Sequence, residues 1–114
     1  MALLAPQVLS RAGLAPVYSA VAASDTIAPV VGSMLFLHVK NGNAAADTVT
    51  LVDAGTTPAG SSATNPTVTV PATTGDRMIG PLLSSMASPT TGLITVQHSV
   101  TATVTCALVQ VPLG

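Results

Sequence analysis

The stretch MLFLHVK, residues 34–40, is the part of this chain that decides its fold class. Side chains alternate between the two faces of a strand, so the aliphatic positions 35, 37 and 39 share one face. The other face begins with Met34 and Phe36 and is also largely apolar. Apolar residues on both faces are typical of a strand that is central or covered on both sides. We therefore expect a buried strand here.

The residues that follow this strand predict a hairpin. Asn41-Gly42-Asn43 supplies residues that tolerate positive φ and therefore favour a tight turn. Residues 47–52 then alternate again, with Val49 and Leu51 on one face and threonines on the other. The sequence therefore predicts that strands 34–40 and 47–52 pair with each other.

The rest of the chain continues the pattern of short strands separated by turn residues. Alternating stretches predict strands at 67–70, 93–98 and 103–110, and a short extended segment at 77–79. Residues 53–66, DAGTTPAGSSATNP, predict a long surface loop. Six to eight short strands with close turn signals predict an all-β β-sandwich domain over residues 17–114. Immunoglobulin-like and jelly-roll strand orders both stay open.

Residues 1–16 are predicted to form an extended N-terminal arm. Pro6 and Pro16 each keep their predecessor out of the helical region, while one helical turn over residues 7–12, ended by Gly13, is compatible with the sequence. The arm is too apolar for a solvated tail, so it lies either across its own sandwich or on a neighbouring subunit. The predicted interface residues are Leu3, Leu4, Val8, Leu9, Arg11, Leu14, Tyr18, Met34 and Phe36.

Charge is scarce throughout the chain. Only 6% of the 114 residues are charged, whereas a free soluble domain carries about a quarter. Part of the surface is therefore expected to be covered by protein, in a homo-oligomer or a larger assembly. Three basic residues give no electrostatic footprint for nucleic acid or for an anionic membrane. The N-terminus also lacks the basic region of a secretory signal, so none is expected.

The inventory of reactive side chains predicts that this protein is not an enzyme. His38 and His98 are expected to be half-exposed strand residues, and the four aspartates lie near turns. Cys106 alternates with Val104 and Leu108, which favours a buried, inert thiol. No spacing suits a nucleophile elbow, a phosphate loop or a zinc site. We therefore expect no catalytic residues, no cofactor and no metal.

Several segments together resemble a small virion protein of tailed bacteriophages. They are MALLAPQVLSRAGLAPVYSA, LFLHVKNG, VTVPA, GDRMIGP and GLITVQHSVTATVTCALVQV, which between them span nearly the whole chain. The resemblance implies a β-sandwich that decorates or cements the capsid shell, or that sits at the head–tail junction. It implies the major capsid protein and further copies of the chain as partners, with a trimer favoured. It names no active-site residue.

The expected function is therefore a non-enzymatic capsid decoration or cement protein of the virion, assembled in the host cytoplasm. A head–tail connector or tail component is the first alternative. A secreted adhesive or ligand-binding β-domain is the second, since a threonine-rich surface suits it equally. The lack of a signal sequence and of aromatic platforms, with one Tyr and one Phe, argues against that second alternative.

Overall fold

A computed structural model describes residues 3–112, which form ten strands and one 3-10 turn at Ser84–Met86. The strands are β1 (Leu3–Leu4), β2 (Gln7–Val8), β3 (Ser19–Ala20), β4 (Ser24–Ile27), β5 (Ser33–Asn41), β6 (Asp47–Val52), β7 (Thr67–Val70), β8 (Gly75–Leu82), β9 (Ile94–His98) and β10 (Val104–Pro112). Strands β5 to β10 lie where the alternating residues predict them. Strand β4 was not predicted.

Two sheets pack face to face and confirm the predicted all-β sandwich. Sheet A has the order β1-β4-β9-β6-β7, and sheet B has the order β2-β10-β5-β8, with β3 also paired to β10. Strand β5 lies inside sheet B between β10 and β8, as its two apolar faces predict. One open side of the sandwich lies at β4 and β10, and the opposite side lies at β7 and β8.

The strand order combines part of the immunoglobulin arrangement with an exchange of outer strands. Counted from β4, the second and fifth strands pair (β5 with β8), and so do the third and sixth (β6 with β9). Both pairs occur in immunoglobulin domains. The last strand, β10, lies beside the second, and the first, β4, lies beside the sixth. In an immunoglobulin domain the first strand lies beside the second and the last strand lies beside the sixth. Strands β4 and β10 have therefore exchanged places relative to that fold.

The predicted hairpin between strands 34–40 and 47–52 is wrong, because β5 and β6 belong to different sheets. The side-chain hydrogen bonds of Asn41 account for the crossing of the chain from sheet B to sheet A. Its buried side chain donates to the carbonyls of Ala45 and Val70 and accepts from the Asn43 amide at 2.8 Å. The turn residues therefore carry the chain from one sheet to the other instead of folding it back beside itself.

The core is built from the inward faces of both sheets. Fully buried side chains include Ile27, Leu35, Leu37, Val39, Val49, Val70, Ile94, Val96 and Val104. Burying one such side chain contributes about 1.5–3 kcal/mol. Gly75 begins β8 so close to its neighbour that a β-carbon there would overlap the Pro71 carbonyl oxygen. The tight entry to β8 therefore requires glycine.

Candidate functional site

The N-terminal segment lies across the open side of its own sandwich. We call residues 3–20 the strap. Its first strand, β1, pairs with β4 in sheet A, and its next strands, β2 and β3, pair with β10 in sheet B. The chain passes from one sheet to the other around Pro6, whose ring fixes an extended backbone. The strap therefore joins the two sheets and covers the exposed edge of β10.

A side-chain amide holds the strap closed. Gln7 Nε2 donates to the Val17 carbonyl at 2.8 Å, and the Val17 amide donates to Gln7 Oε1 at 2.9 Å. Gln7 therefore acts as a peptide group would in a sheet and joins the two ends of residues 8–16. The helical turn with which the sequence of residues 7–12 is compatible does not form, because Gln7 and Val8 form strand β2.

The segment between these two ends projects from the sandwich. We call residues 9–16 the strap loop. The Leu9 amide donates to Gln110 O, and the Gly13 amide donates to Ser10 O at 3.0 Å, which forms a turn with Arg11 at its tip. Gly13 has a φ of +94°, which glycine adopts freely. Arg11 is exposed and has no hydrogen bond or ion pair within residues 3–112.

A polar cluster fastens the end of the strap to sheet B. The Tyr18 hydroxyl lies 2.6 Å from His38 Nδ1, and His38 Nε2 contacts Asp76 Oδ1. An ionised Asp76 only accepts, so His38 carries its proton on Nε2 and accepts from the Tyr18 hydroxyl at Nδ1. The Lys40 ammonium lies 4.3 Å from the Tyr18 ring centre, in a cation–π contact. The cluster thereby connects the strap to β5 and β8.

The chain Tyr18–His38–Asp76 has the order of groups that activates a nucleophile in many enzymes. Here the Tyr18 hydroxyl is directed at His38 and its ring lies under Lys40. An open pocket of about 280 Å³ beside Asp76 is lined by Lys40, Asp76 and Thr74 and includes neither Tyr18 nor His38. The Tyr18–His38–Asp76 arrangement is better suited to holding the strap against sheet B than to catalysis.

The second histidine forms a buried pair with an aspartate. His98 Nδ1 donates to Asp47 Oδ2 at 2.7 Å, and Asp47 Oδ1 accepts from the amides of Ser99 and Val100. The side chains of His98 and His38 are 1% and 12% exposed. Our expectation of half-exposed histidines is therefore wrong. Each histidine is bound by a carboxylate that lies far away in the sequence.

Cys106 is buried, as its alternation with aliphatic residues predicts. Burial and, to a smaller extent, the carboxylate of Asp25 raise the pKa of the Cys106 thiol to about 11. A thiol with this pKa stays protonated at neutral pH and is a poor nucleophile. Within residues 3–112, no three His, Cys, Asp or Glu side chains converge as metal ligands would.

Some of the predicted interface residues are exposed, and the others contact residues of their own domain or are partly buried. Leu4 packs against the core and Tyr18 binds His38, while Leu14 and Phe36 are partly buried. The exposed predicted residues are Leu3, Val8, Leu9, Arg11 and Met34.

Sequence reasoning missed four exposed apolar residues: Val17, Val31, Met78 and Leu83. Val17 follows directly on the predicted arm, so the run of apolar residues there was a usable signal. The other three lie in loops or on an edge strand, where no periodicity marks a residue as exposed. Across residues 3–112, half of the eight exposed large apolar side chains belong to the strap.

Few charges remain on the surface. Two of the seven charged residues, Asp25 and Asp47, are buried in the sandwich, which leaves five.

No helix within residues 3–112 has the length and apolar character that crossing a membrane requires. Comparisons with models of protein families, with curated proteins and with solved structures find no match to this chain.

Proposed function

We propose that this protein is a non-enzymatic structural component of a tailed-phage virion, a decoration or cement protein that stabilises the capsid shell. The observation that carries the proposal is the combination of very low charge with exposed apolar residues concentrated on the strap. A lone domain rarely exposes such surface, whereas a protein held in an assembly buries it. The resemblance of the chain to small phage virion proteins supports the same class.

The physical task of such a protein is to add buried area across the joints between capsid subunits. A specific interface of standard size removes about 1,600 Å² from water. Many copies, each contributing one such contact, oppose the separation of neighbouring capsid subunits under internal pressure. The partners proposed here are the major capsid protein and further copies of this chain, with a trimer as the proposed oligomer.

The reactive side chains support a non-enzymatic role. Both histidines are bound to aspartates, and the Cys106 thiol is buried with a raised pKa. The two histidine–aspartate pairs stabilise the sandwich and the strap, and the thiol packs in the core, so each group has a structural role in this proposal.

The test is to determine where the protein sits on purified phage particles by image reconstruction, with antibody labelling as an independent measurement. Copies over the whole shell are the expected result. A single ring at one vertex would replace decoration with the connector or tail alternative. Absence of the protein from intact particles would overturn the proposal and favour the secreted adhesive domain.

A further inference from the structure

We propose that the peptide bond between Arg11 and Ala12 is a cleavage site for a protease of trypsin-like specificity, and that cleavage there detaches the first part of the strap. Such proteases cut after a basic residue, because a carboxylate in their specificity pocket pairs with its side chain. The chain contains three basic residues, Arg11, Lys40 and Arg77. The sequence makes all three candidates, so the fold decides which bond is cut.

The backbone at Arg11 is accessible to a protease. Residues 8–13 are exposed without interruption, and Arg11 lies at the tip of the strap loop. The Gly13 amide donates to the Ser10 carbonyl, which closes a turn around Arg11. A protease encloses its substrate as an extended segment in a cleft, so the strap loop can enter the cleft once this turn opens. Exposed loop tips are preferred sites of cleavage for this reason.

The backbones at Lys40 and Arg77 are held in sheet B, although both side chains are exposed. Lys40 lies in β5 and pairs with Thr105 of β10 on one side and with Asp76 of β8 on the other. Arg77 lies in β8 and pairs with Val39 of β5. Either strand must leave the sheet before it can enter a protease cleft. We expect cleavage there to be slower by about a hundredfold or more, because several cross-strand hydrogen bonds must open first.

Hydrolysis frees the segment that ends at Arg11. As the C–N bond breaks, one solvent water molecule adds its hydroxyl group to the Arg11 carbonyl carbon and a proton to the Ala12 nitrogen. The freed segment contacts the sandwich through the two-residue strands β1 and β2, the Leu4 side chain and the Gln7 amide. The covalent link holds these groups at an effective concentration of about millimolar, whereas a freed segment at micromolar protein is about a thousandfold more dilute. The segment therefore dissociates after the cut.

Dissociation uncovers part of the open side of the sandwich. A space of about 220 Å³ lies between the strap and sheet B, with Leu4 and Gln7 on one side and Cys106 and Leu108 on the other. Loss of Leu4 and Gln7 opens this space to solvent and removes β2 from the edge of β10. The Cys106 thiol then becomes more accessible and can report that the segment has left.

Cleavage also removes exposed apolar residues from the domain. Leu3, Val8 and Leu9 leave with the freed segment, and they belong to the surface through which we propose that the protein attaches to the shell. A cut copy should therefore fail to attach, so the cut acts as a switch that withdraws free copies from assembly. This consequence rests on the proposed function, whereas the cleavage and the dissociation do not.

Limited digestion of the folded full-length protein with trypsin, followed by mass spectrometry, tests the cleavage site. The expected early product begins at Ala12 and persists, with cuts after Lys40 and Arg77 slower by about a hundredfold or more. Arg11→Gln should abolish the early cut. Arg77→Gln is the matched control, because it removes an exposed arginine from a strand, and it should be cut after Arg11 as fast as the wild-type protein.

Three results would overturn the cleavage site. They are a first cut after Lys40 or Arg77, a folded protein that trypsin leaves intact, and an Arg11→Gln variant that is cut as fast as the wild-type protein. Protein unfolded in urea serves as the positive control for the protease, and it should be cut after all three basic residues at similar rates.

Two measurements on the cut protein test the dissociation. Gel filtration at micromolar concentration should separate the freed segment from the remainder, and a thiol reagent should label Cys106 about tenfold or more faster than in the uncut protein. The circular dichroism spectrum should keep its β-sheet signal. A segment that elutes with the remainder, an unchanged labelling rate, or a lost β-sheet signal would refute the release of the strap segment alone.

Binding of the cut protein to particles that lack it tests the switch. Cut copies should fail to attach where uncut copies attach, and attachment of both to the same extent would contradict the switch. The digestion decides the cleavage site on the free protein, and the location of the protein on purified particles decides the proposed function, so the two fail separately.

Discussion

Replacing Asp47 with alanine should cost more stability than any other single loss of a polar side chain discussed above. Asp47 is completely buried and accepts hydrogen bonds from His98, Ser99 and Val100. The Ser99 amide keeps a second acceptor, the Thr48 carbonyl at 3.2 Å. The substitution therefore leaves the His98 ring N–H and the Val100 amide without a partner, whereas the Ser99 hydroxyl, which donates to Asp47 Oδ1 at 3.4 Å, is on an exposed residue and can turn to solvent.

The magnitude follows from those two donors. Each unsatisfied buried donor costs about 1–3 kcal/mol, which gives about 2–6 kcal/mol for two donors. Removing one partner of a buried ion pair costs about 3–5 kcal/mol, so we expect a loss of about 3–5 kcal/mol for Asp47→Ala. A domain of this size has a total stability of about 5–15 kcal/mol. At about 4 °C per kcal/mol, the melting temperature should fall by about 12–20 °C. Thermal unfolding followed by circular dichroism measures this directly.

Two further substitutions sharpen the experiment. Asp47→Asn keeps an oxygen for the amides of Ser99 and Val100 and should therefore lose less stability than alanine. Asp53→Ala is the matched control, because Asp53 accepts one hydrogen bond, from the Gly55 amide at 2.9 Å. It should cost about 1 kcal/mol. If Asp47→Ala were no more destabilising than Asp53→Ala, the buried pair would not have the structural role argued here.

Three other predictions concern the strap and the thiol. Gln7→Ala removes both hydrogen bonds to the Val17 backbone, so it should cost about 1–2 kcal/mol and speed hydrogen exchange at the Val17 amide, whereas Gln97→Ala, at an exposed position of β9, should change neither. Tyr18→Phe removes the hydroxyl bound to His38 and should lower stability by about 1 kcal/mol in chemical denaturation; an unchanged midpoint would show that the cluster does not fasten the strap. The unfolded thiol of Cys106 ionises near pH 9.0 and the folded one near 11, so the unfolded chain releases its proton first and stability should fall as pH rises through this window. Cys106→Ala should lose that part of the pH dependence, and an identical pH profile for both proteins would contradict the assignment.

Local alternation made most of the strands predictable. The pattern at residues 67–70 and 47–52 identified β7 and β6 to the residue, because threonines alternate with aliphatic residues through β7 and through the middle of β6. Strand β4 escaped prediction because its sequence, SDTI, contains one large apolar residue. Its position between β1 and β9 makes it a strand, and that position depends on residues about 20 and 70 places away in the sequence.

The partners of the polar residues could not be predicted from the sequence. His38 and Asp76 are 38 residues apart, and His98 and Asp47 are 51 residues apart. Each pair meets only because a particular strand order brings the two side chains together. The predicted hairpin failed for the same reason, since turn residues specify a change of direction but not the sheet in which the next strand lies.

The position of the strap also affects the order in which parts of the sandwich can form. Strand β2 and strand β3 both rest on β10, which is made of the last residues that the structure describes. Strands β2 and β3 of the strap therefore cannot form their sheet contacts until β10 has been synthesised, although β1 can already pair with β4. A chain that stops before β10 leaves residues 7–20 without the sheet edge on which they lie.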